Sequence, residues 1–163
     1  MKRLWAPWRI EYIKGPKDDV CFFCKYIQED KDKENLVLHR GRNAFVMMNY
    51  YPYNNGHLMI APNNHTSEIS DLDNDTKLEL INYIAHCQKA LTEYLNAQGY
   101  NMGINYGTVA GAGVKDHLHI HVVPRWSGDT NFMPVSGHTK VISQGLQETW
   151  ETLRRYFENL PDS

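Results

Sequence analysis

The sequence changes its hydrophobic period in one long segment, and this change limits the fold more than any other feature. From Thr76 onward the apolar residues, beginning with Leu78 and Ile81, recur at the spacing of an amphipathic α-helix. Thr76 and Glu79 match a capping box at the start of this helix, and Gly99 is well placed to end it. Shorter segments with β-strand patterns lie on both sides. We therefore predict an α+β fold, in which one long helix connects the third and fourth strands of a mainly antiparallel sheet of about five strands.

The predicted strands are short apolar segments separated by turn residues, and a C-terminal amphipathic helix follows them. We expect one domain over residues 1–163, with residues 1–20 as an irregular N-terminal arm and residues 127–163 as a C-terminal extension. A charged stretch at 28–35 is predicted to end a short helix. The strands are predicted at 36–40, 44–51, 54–62, 100–107 and from 114 to about 124, and the last helix at about 140–158.

Composition and charge exclude several classes of protein. A formal net charge of −2 gives no basic surface for DNA or RNA, so we expect no nucleic-acid partner. No apolar run reaches membrane-spanning length, and the first residues, MKRLWAPWRIEY, contain no signal-peptide core, so we expect no membrane partner. Two of the three cysteines form Cys21-x-x-Cys24, which favours metal or redox use in a reduced compartment over a disulfide framework. The expected location is the cytoplasm.

Residues 114–126, VKDHLHIHVVPRW, place three of the eight histidines at alternate positions. Alternation is the period of a β-strand, so His117, His119 and His121 should share one face at steps of about 6.5–7 Å. The aliphatic residues between them would face a core. We expect the imidazoles on the exposed face of this strand, and Pro124 to end it because proline cannot donate to a ladder.

Two kinds of chemistry fit such a row of histidines. Two imidazoles two residues apart can chelate one metal ion, or the middle imidazole can attack a substrate while its neighbours orient the reacting groups. The glycine-rich loop before the strand, GTVAGAG, favours the second, because its backbone N–H groups can turn toward a phosphate. An all-β metal barrel conflicts with the long helix. The nucleophile hypothesis requires no catalytic metal.

HLHIHVV is similar to the signature of the histidine-triad (HIT) superfamily, and FVMMNYYPYNNGHLMIAP resembles its first half. The flanking segments LWAPWR and PRWSGDTNFMPV resemble the bacterial branch of diadenosine tetraphosphate phosphorylases. The resemblance implies a homodimer that acts on an adenine dinucleoside polyphosphate or another AMP derivative. It also implies a structural Zn²⁺ ion bound by Cys21, Cys24, His65 and His117. From the CxxC motif alone, zinc binding, a redox role and chance remain open.

The same resemblance implies a role for each candidate residue of the active site. His119 is the nucleophile, His121 contacts the α-phosphate oxygens, and His117 supports the site from the other side. Asn49 aligns with a ribose-binding residue. The other nucleotide-binding candidates are His57, Asn105, the loop residues Gly111, Gly113 and Val114, and Phe45 as a wall for the base.

The sequence therefore predicts a nucleotidyl transferase or hydrolase that forms a covalent nucleotidyl-histidine at the α-phosphorus. Two features bear on whether phosphate or water is the acceptor. His121 at the third triad position favours water, whereas the flanking segments and Gly113 favour phosphate, and Arg125 is a candidate source of positive charge. We expect phosphate. The alternatives are a hydrolase of phosphoramidates or dinucleoside polyphosphates and, from another class, a zinc-stabilised nucleotide-binding protein without turnover.

Overall fold

A computed structural model describes residues 20–129 and 144–160 of the chain. Within these residues there are three α-helices and five β-strands, which confirms the predicted α+β class with its mainly antiparallel sheet. The helices are α1 (Phe22–Gln28), α2 (Asn74–Leu95) and α3 (Leu146–Phe157). The strands are β1 (Val37–Arg40), β2 (Ala44–Met48), β3 (Leu58–Pro62), β4 (Gly99–Ile104) and β5 (Ile120–Arg125).

All neighbouring strands of the sheet are antiparallel, in the order β1-β2-β3-β5-β4. The histidine segment therefore enters the interior of the sheet, where His121 lies between Met59 of β3 and Gly103 of β4. The sequence suggested that Pro124 ends β5, and this prediction is wrong because the strand continues to Arg125. Pairing with β3 ends at Val122, so the proline lies beyond the part of β5 that β3 covers.

The two faces of the sheet bury different sets of side chains. Residues such as Val46 and Ile120 pack against α2 and α3 in the larger hydrophobic core. The alternate residues, such as Phe45 and Met59, form a second cluster with Phe23 of α1 on the opposite face. The three triad histidines alternate with the first set and lie on the α1 side, where two of their rings contact Phe23. Strand periodicity thus separates the structural core from the histidines.

The long helix α2 is present with 22 residues, but its predicted ends are wrong. It begins at Asn74, and the capping side chain is Asp73, whose carboxylate accepts the Thr76 backbone N–H at 2.7 Å. At the other end Asn96 adopts the left-handed conformation (φ 52°) that was expected of Gly99. Gly99 instead begins β4.

Glu79 has a different role from the one expected within a capping box. It is buried, and its carboxylate accepts hydrogen bonds from the backbone N–H groups of Asn43 and Ala44 and from the Tyr83 hydroxyl. It therefore satisfies the turn between β1 and β2. The predicted apolar face of α2 is also partly wrong, since Leu78 and Ile81 are each 60% exposed. The face that packs on the sheet contains Leu80, Tyr83, Cys87, Ala90 and Leu91.

Within the described residues the C-terminal helix α3 begins at Leu146, whereas the sequence predicted a helix from about residue 140. Leu153 and Phe157 are buried as its amphipathic pattern required, while residues 130–143, with the predicted helix start at 140, lie outside the described part of the chain. The predicted N-terminal arm, except for its last residue, lies outside it as well. None of the helices in the described part of the chain has the length and apolar character needed to cross a membrane.

Candidate active site

His119 is fixed in one tautomer by a backbone contact. Its Nδ1 lies 2.9 Å from the carbonyl oxygen of His117, so Nδ1 carries the hydrogen and donates it. The lone pair is then on Nε2. The side chain is 95% buried, and burial lowers its pKa, which favours the neutral form near pH 7. A neutral imidazole with a lone pair on Nε2 is a competent nucleophile.

The expected exposed row of imidazoles is wrong, because His117 and His119 are both buried. The step between neighbours is also shorter than expected, with the ring centroids of His119 and His121 4.9 Å apart. His117 and His119 precede the regular part of β5, which begins at Ile120. Phe23 covers the first two rings at centroid distances of 5.0 and 5.1 Å, which explains their burial.

His57 orients the third triad histidine. The Tyr53 backbone N–H donates to His57 Nδ1 at 3.1 Å, so the hydrogen of His57 is on Nε2. Nε2 lies 2.9 Å from His121 Nδ1 and donates to it. The His121 hydrogen is thereby assigned to Nε2. The amide nitrogen of Asn105, 3.5 Å from this atom, is also a donor and does not accept the hydrogen. His121 thus presents an N–H donor near His119, with the two ring centroids 4.9 Å apart.

A cavity of about 530 Å³ contains both His119 and His121 in its wall. Most of the predicted nucleotide-binding residues also line it: Asn49, Asn105, Gly111, Gly113 and Val114. Gly111 has a φ of +90°, a backbone conformation that favours glycine, in the loop between β4 and β5. The volume is that of a small-molecule site rather than of a single water or ion.

Three other candidates lie away from this cavity wall. Phe45 is fully buried against Phe23, within the second hydrophobic cluster on the α1 side of the sheet. His57 is buried behind His121 and acts on the cavity through it. Arg125 lies four residues after His121 along β5. Its guanidinium is paired with Asp129, with Nε and Oδ2 2.5 Å apart, so it does not supply charge to the histidines.

Sequence reasoning did not find the aromatic wall of the cavity. Five aromatic side chains contribute to it: Phe22, Tyr26, Tyr50, Tyr51 and Tyr53. Three of them belong to the run NYYPY, between the candidate residues Asn49 and His57. This position directly after a strand, between two residues already assigned to the site, was the available indication. Aromatic faces of this kind can stack on a nucleobase.

A second constellation brings together the four predicted metal ligands. The ligand atoms of Cys21, Cys24, His65 and His117 all lie within 4.8 Å of one another. Cys21 Sγ and His65 Nδ1 lie 3.3 Å from His117 Nδ1 in each case, and Cys24 Sγ lies 3.2 Å from His65 Nδ1. The edges of a tetrahedral Cys₂His₂ zinc site, built from the usual bond lengths, are about 3.3–3.8 Å. Four of the donor–donor distances, at 3.2–3.5 Å, are close to these edges, so the donor set suits a tetrahedrally coordinated ion.

His117 is prepared for such a ligand role by its other nitrogen. Nε2 donates to the Pro62 carbonyl oxygen at 2.9 Å, which leaves the Nδ1 lone pair directed at the two thiols. Burial lowers the pKa of His117 to about 4, so the imidazole is neutral at pH 7. Burial, together with Cys21 next to it, raises the pKa of the Cys24 thiol to about 11. A cation bound nearby would lower the pKa of this thiol, because it stabilises the thiolate.

The buried His119, the oriented N–H donor of His121 and the glycine-rich loop meet at one cavity, as expected for a domain of the histidine-triad type. The chain belongs to the HIT domain family, whose model matches residues 30–128. Among curated proteins it is 38% identical, over 172 residues, to the AP-4-A phosphorylase of Mycobacterium tuberculosis. That alignment covers 99% of this chain and 87% of the relative.

More distant relatives share parts of the chain or its fold. A bis(5'-nucleosyl)-tetraphosphatase (asymmetrical) of Schizosaccharomyces pombe is 27% identical, over 57% of this chain and 50% of the relative. A crystal structure of a zinc-bound histidine triad family protein from Mycobacterium smegmatis superimposes with a TM-score of 0.65. It is 23% identical and covers 85% of this chain and 93% of that one, which supports the fold.

Proposed function

We propose that the protein cleaves dinucleoside polyphosphates of the diadenosine tetraphosphate type at the α-phosphorus, through a covalent nucleotidyl-His119. The observation that carries this proposal is the His119 tautomer. Its Nδ1–H is held by a carbonyl, and the ring lies in the wall of a cavity large enough for a nucleotide. The 38% identity to an AP-4-A phosphorylase supports the substrate class.

The proposed reaction has two displacements. His119 Nε2 attacks the α-phosphorus, an N–P bond forms, and the bond to the polyphosphate leaving group breaks. The Nε2–H of His121, assigned through His57, stabilises charge on the α-phosphate oxygens. Gly111, Gly113 and Val114 line the same cavity, and their backbone supports the remaining phosphates. An acceptor then attacks the phosphorus and releases His119.

The rest of the cavity suits the nucleoside. Asn49 accepts the Tyr51 backbone N–H through Oδ1 at 2.8 Å, which holds its amide at the cavity wall, where we assign it to the ribose. The aromatic wall, with Tyr26 and Tyr50 at a centroid distance of 6.3 Å, is assigned to the base. Stacking of a base on an aromatic side chain contributes about 1–3 kcal/mol.

Phosphate is the proposed acceptor, and product analysis tests it. With diadenosine tetraphosphate in phosphate buffer, we expect ADP plus ATP, with labelled phosphate in the ADP. A buffer without phosphate is the control. AMP plus ATP without label in any product would instead identify a hydrolase, the activity that the tetraphosphatase of S. pombe has by name.

We further propose that the Cys₂His₂ cluster binds one structural zinc ion. Closed four-ligand sites of this kind stabilise a fold and leave no open position for a substrate. The donor spacing and the Nε2 bond of His117 to Pro62 support this assignment. Two adjacent thiols in this role require a reducing compartment, so the proposal includes a cytoplasmic location.

A homodimer completes the proposal. β4 is an edge of the described sheet, and its last residues, including Met102 and Ile104, are exposed. Exposed edge strands are templates for pairing with another chain. A second copy of this strand across a twofold axis would continue the sheet.

A further inference from the structure

The helix α1 contributes to two sites at once. Cys24, together with Cys21 directly before the helix, faces the His65–His117 pair. Phe22 and Tyr26, one turn apart with ring centroids 5.5 Å from each other, line the nucleotide cavity. A rigid displacement of this short helix would therefore move metal ligands and cavity wall together.

The helix has little stability of its own. It contains seven residues, and helices shorter than about 12–15 residues are marginal in water. Its N-cap, Cys21, makes no side-chain capping hydrogen bond, and its first turn contains no acidic residue. Its position therefore depends on contacts with the rest of the fold.

Arg40 of β1 holds the C-terminal end of α1. Its guanidinium donates to the carbonyl oxygens of Tyr26, Ile27 and Glu29 at 2.6–2.9 Å, and to the carboxylate of Asp32. These are the carbonyls that a helix end leaves without intrahelical partners. This end is therefore anchored in the absence of metal.

The N-terminal end of α1 is held through the metal ligands and through Phe23. Phe23 is fully buried and contacts the rings of His117 and His119. Cys21 and Cys24 meet two side chains from distant parts of the chain, 41 and 96 residues away. Without an ion, thiol groups and imidazole rings offer each other only weak hydrogen bonds. The position of this end therefore depends on metal occupancy as well as on the packing of Phe23.

We propose that metal binding and nucleotide binding are thermodynamically coupled through α1, because one helix supplies both the two thiols and the aromatic wall. This inference rests on the cavity and the zinc site of the proposed function. An ion at the cluster fixes α1 and preorganises Phe22 and Tyr26 for the nucleotide. By reciprocity, a bound nucleotide increases the affinity for the metal by the same factor.

Two equilibrium measurements give this factor independently. Titration calorimetry with AMP compares the zinc-loaded protein with the metal-stripped protein, and we expect at least tenfold weaker binding after stripping. Competition with a chromophoric zinc chelator gives the zinc affinity with and without saturating AMP, and we expect the same factor. Circular dichroism identifies conditions in which the stripped chain keeps its fold.

Paired substitutions separate α1 from the rest of the cavity. Tyr26→Ala removes a wall residue that α1 carries, and Tyr51→Ala removes one of the same type that lies outside α1. Both should weaken AMP binding to the loaded protein. Only Tyr26→Ala should also reduce the coupling factor, to threefold or less, while zinc remains bound. Tyr51→Ala should leave the factor within twofold of the unsubstituted protein.

Each outcome decides the inference. AMP affinity independent of zinc would overturn the coupling, while trapped nucleotidyl-enzyme in the same preparation would leave the proposed reaction standing. Equal coupling factors in the two tyrosine variants would also overturn it, because general stabilisation by ligands would then explain the effect. Absence of AMP binding to the loaded protein would reject both the coupling and the assigned cavity.

Discussion

His119 and His121 are neighbours in the cavity with opposite hydrogen positions. The Nδ1–H of His119 donates to a backbone carbonyl, whereas Nδ1 of His121 accepts from His57. One ring therefore presents a lone pair on Nε2 and the other presents an N–H. A nucleophile beside a hydrogen-bond donor is the pairing that attack on a phosphorus centre needs.

Removal of the proposed nucleophile, His119, should separate chemistry from binding. His119→Ala is expected to abolish turnover of diadenosine tetraphosphate while AMP binding stays within about tenfold, because the cavity keeps its other walls. Acid quenching should trap labelled nucleotide on the wild-type protein and none on the variant. Near-normal turnover by the variant would show that the covalent step uses another residue.

Asp129 should contribute stability that depends on pH. Its carboxylate accepts from Arg125 Nε and from Asn54 Nδ2 at 3.0 Å, and the Arg125 guanidinium holds the pKa of Asp129 well below its usual range. A depressed pKa stabilises the fold above the unfolded-state value, near pH 4, and this contribution is lost as the pH falls further.

The substitution Asp129→Asn tests this pH dependence. We expect the free energy of unfolding to fall by about 1–2 kcal/mol at pH 7, a modest amount because solvent screens the half-exposed Arg125. Urea titrations at pH 7, 5 and 3 should show the difference between wild type and variant shrinking below pH 4. A difference that is constant with pH would contradict this account.

At the residue scale, the sequence identified the residues whose spacing follows strand periodicity or the family pattern. His119, His121 and Asn49 all reach one cavity. The hydrogen-bond partners were not predictable, because the carbonyl of His117 and the Nε2 of His57 become neighbours only through tertiary packing. The aromatic wall was missed for the same reason, since two of its five side chains come from α1.

Among the secondary-structure elements, α2 shows which predictions a sequence supports. Its existence followed from periodicity, but its ends did not, because several residues near each end can act as a cap. Asp73 rather than Thr76 caps the start, and Asn96 rather than Gly99 takes the left-handed conformation at the end. Glu79 shows the underlying conflict, since the turn between β1 and β2 offers it more hydrogen bonds than a capping box would.

The proposed zinc site joins elements that are distant in the chain, so metal removal should act on the whole fold. It connects α1 with the segment after β3 and with the start of the histidine strand.

Elemental analysis should give about one zinc per chain. Cys21→Ser should lose both the metal and thermal stability, because metal binding energy is folding energy in such sites. Cys87→Ser, a buried thiol on α2, is the control and should keep its zinc. Zinc-free protein with an unchanged melting temperature would reject the site.

At the scale of the molecule, β4 carries an apolar strip that the described residues, 20–129 and 144–160, leave partly exposed. Met102 and Ile104 pair with Val122 and Ile120 of β5, and directly paired residues share a face of the sheet. Val122 and Ile120 are buried under α2, whereas Met102 and Ile104 are 47% and 37% exposed. The described helices therefore do not cover the edge strand, and a second copy of the chain would bury this strip.

Disruption of this strip should convert a dimer into monomers. Light scattering of the wild-type protein is expected to give about twice the chain mass of 19.0 kDa. Met102→Lys should give monomers, because pairing across the edge would bury an ammonium group without a partner. Ile69→Lys, at a residue of similar exposure (45%) outside the sheet, should leave the dimer intact. If both variants remain dimeric, association does not use the β4 edge, and a wild-type mass of one chain would reject the dimer itself.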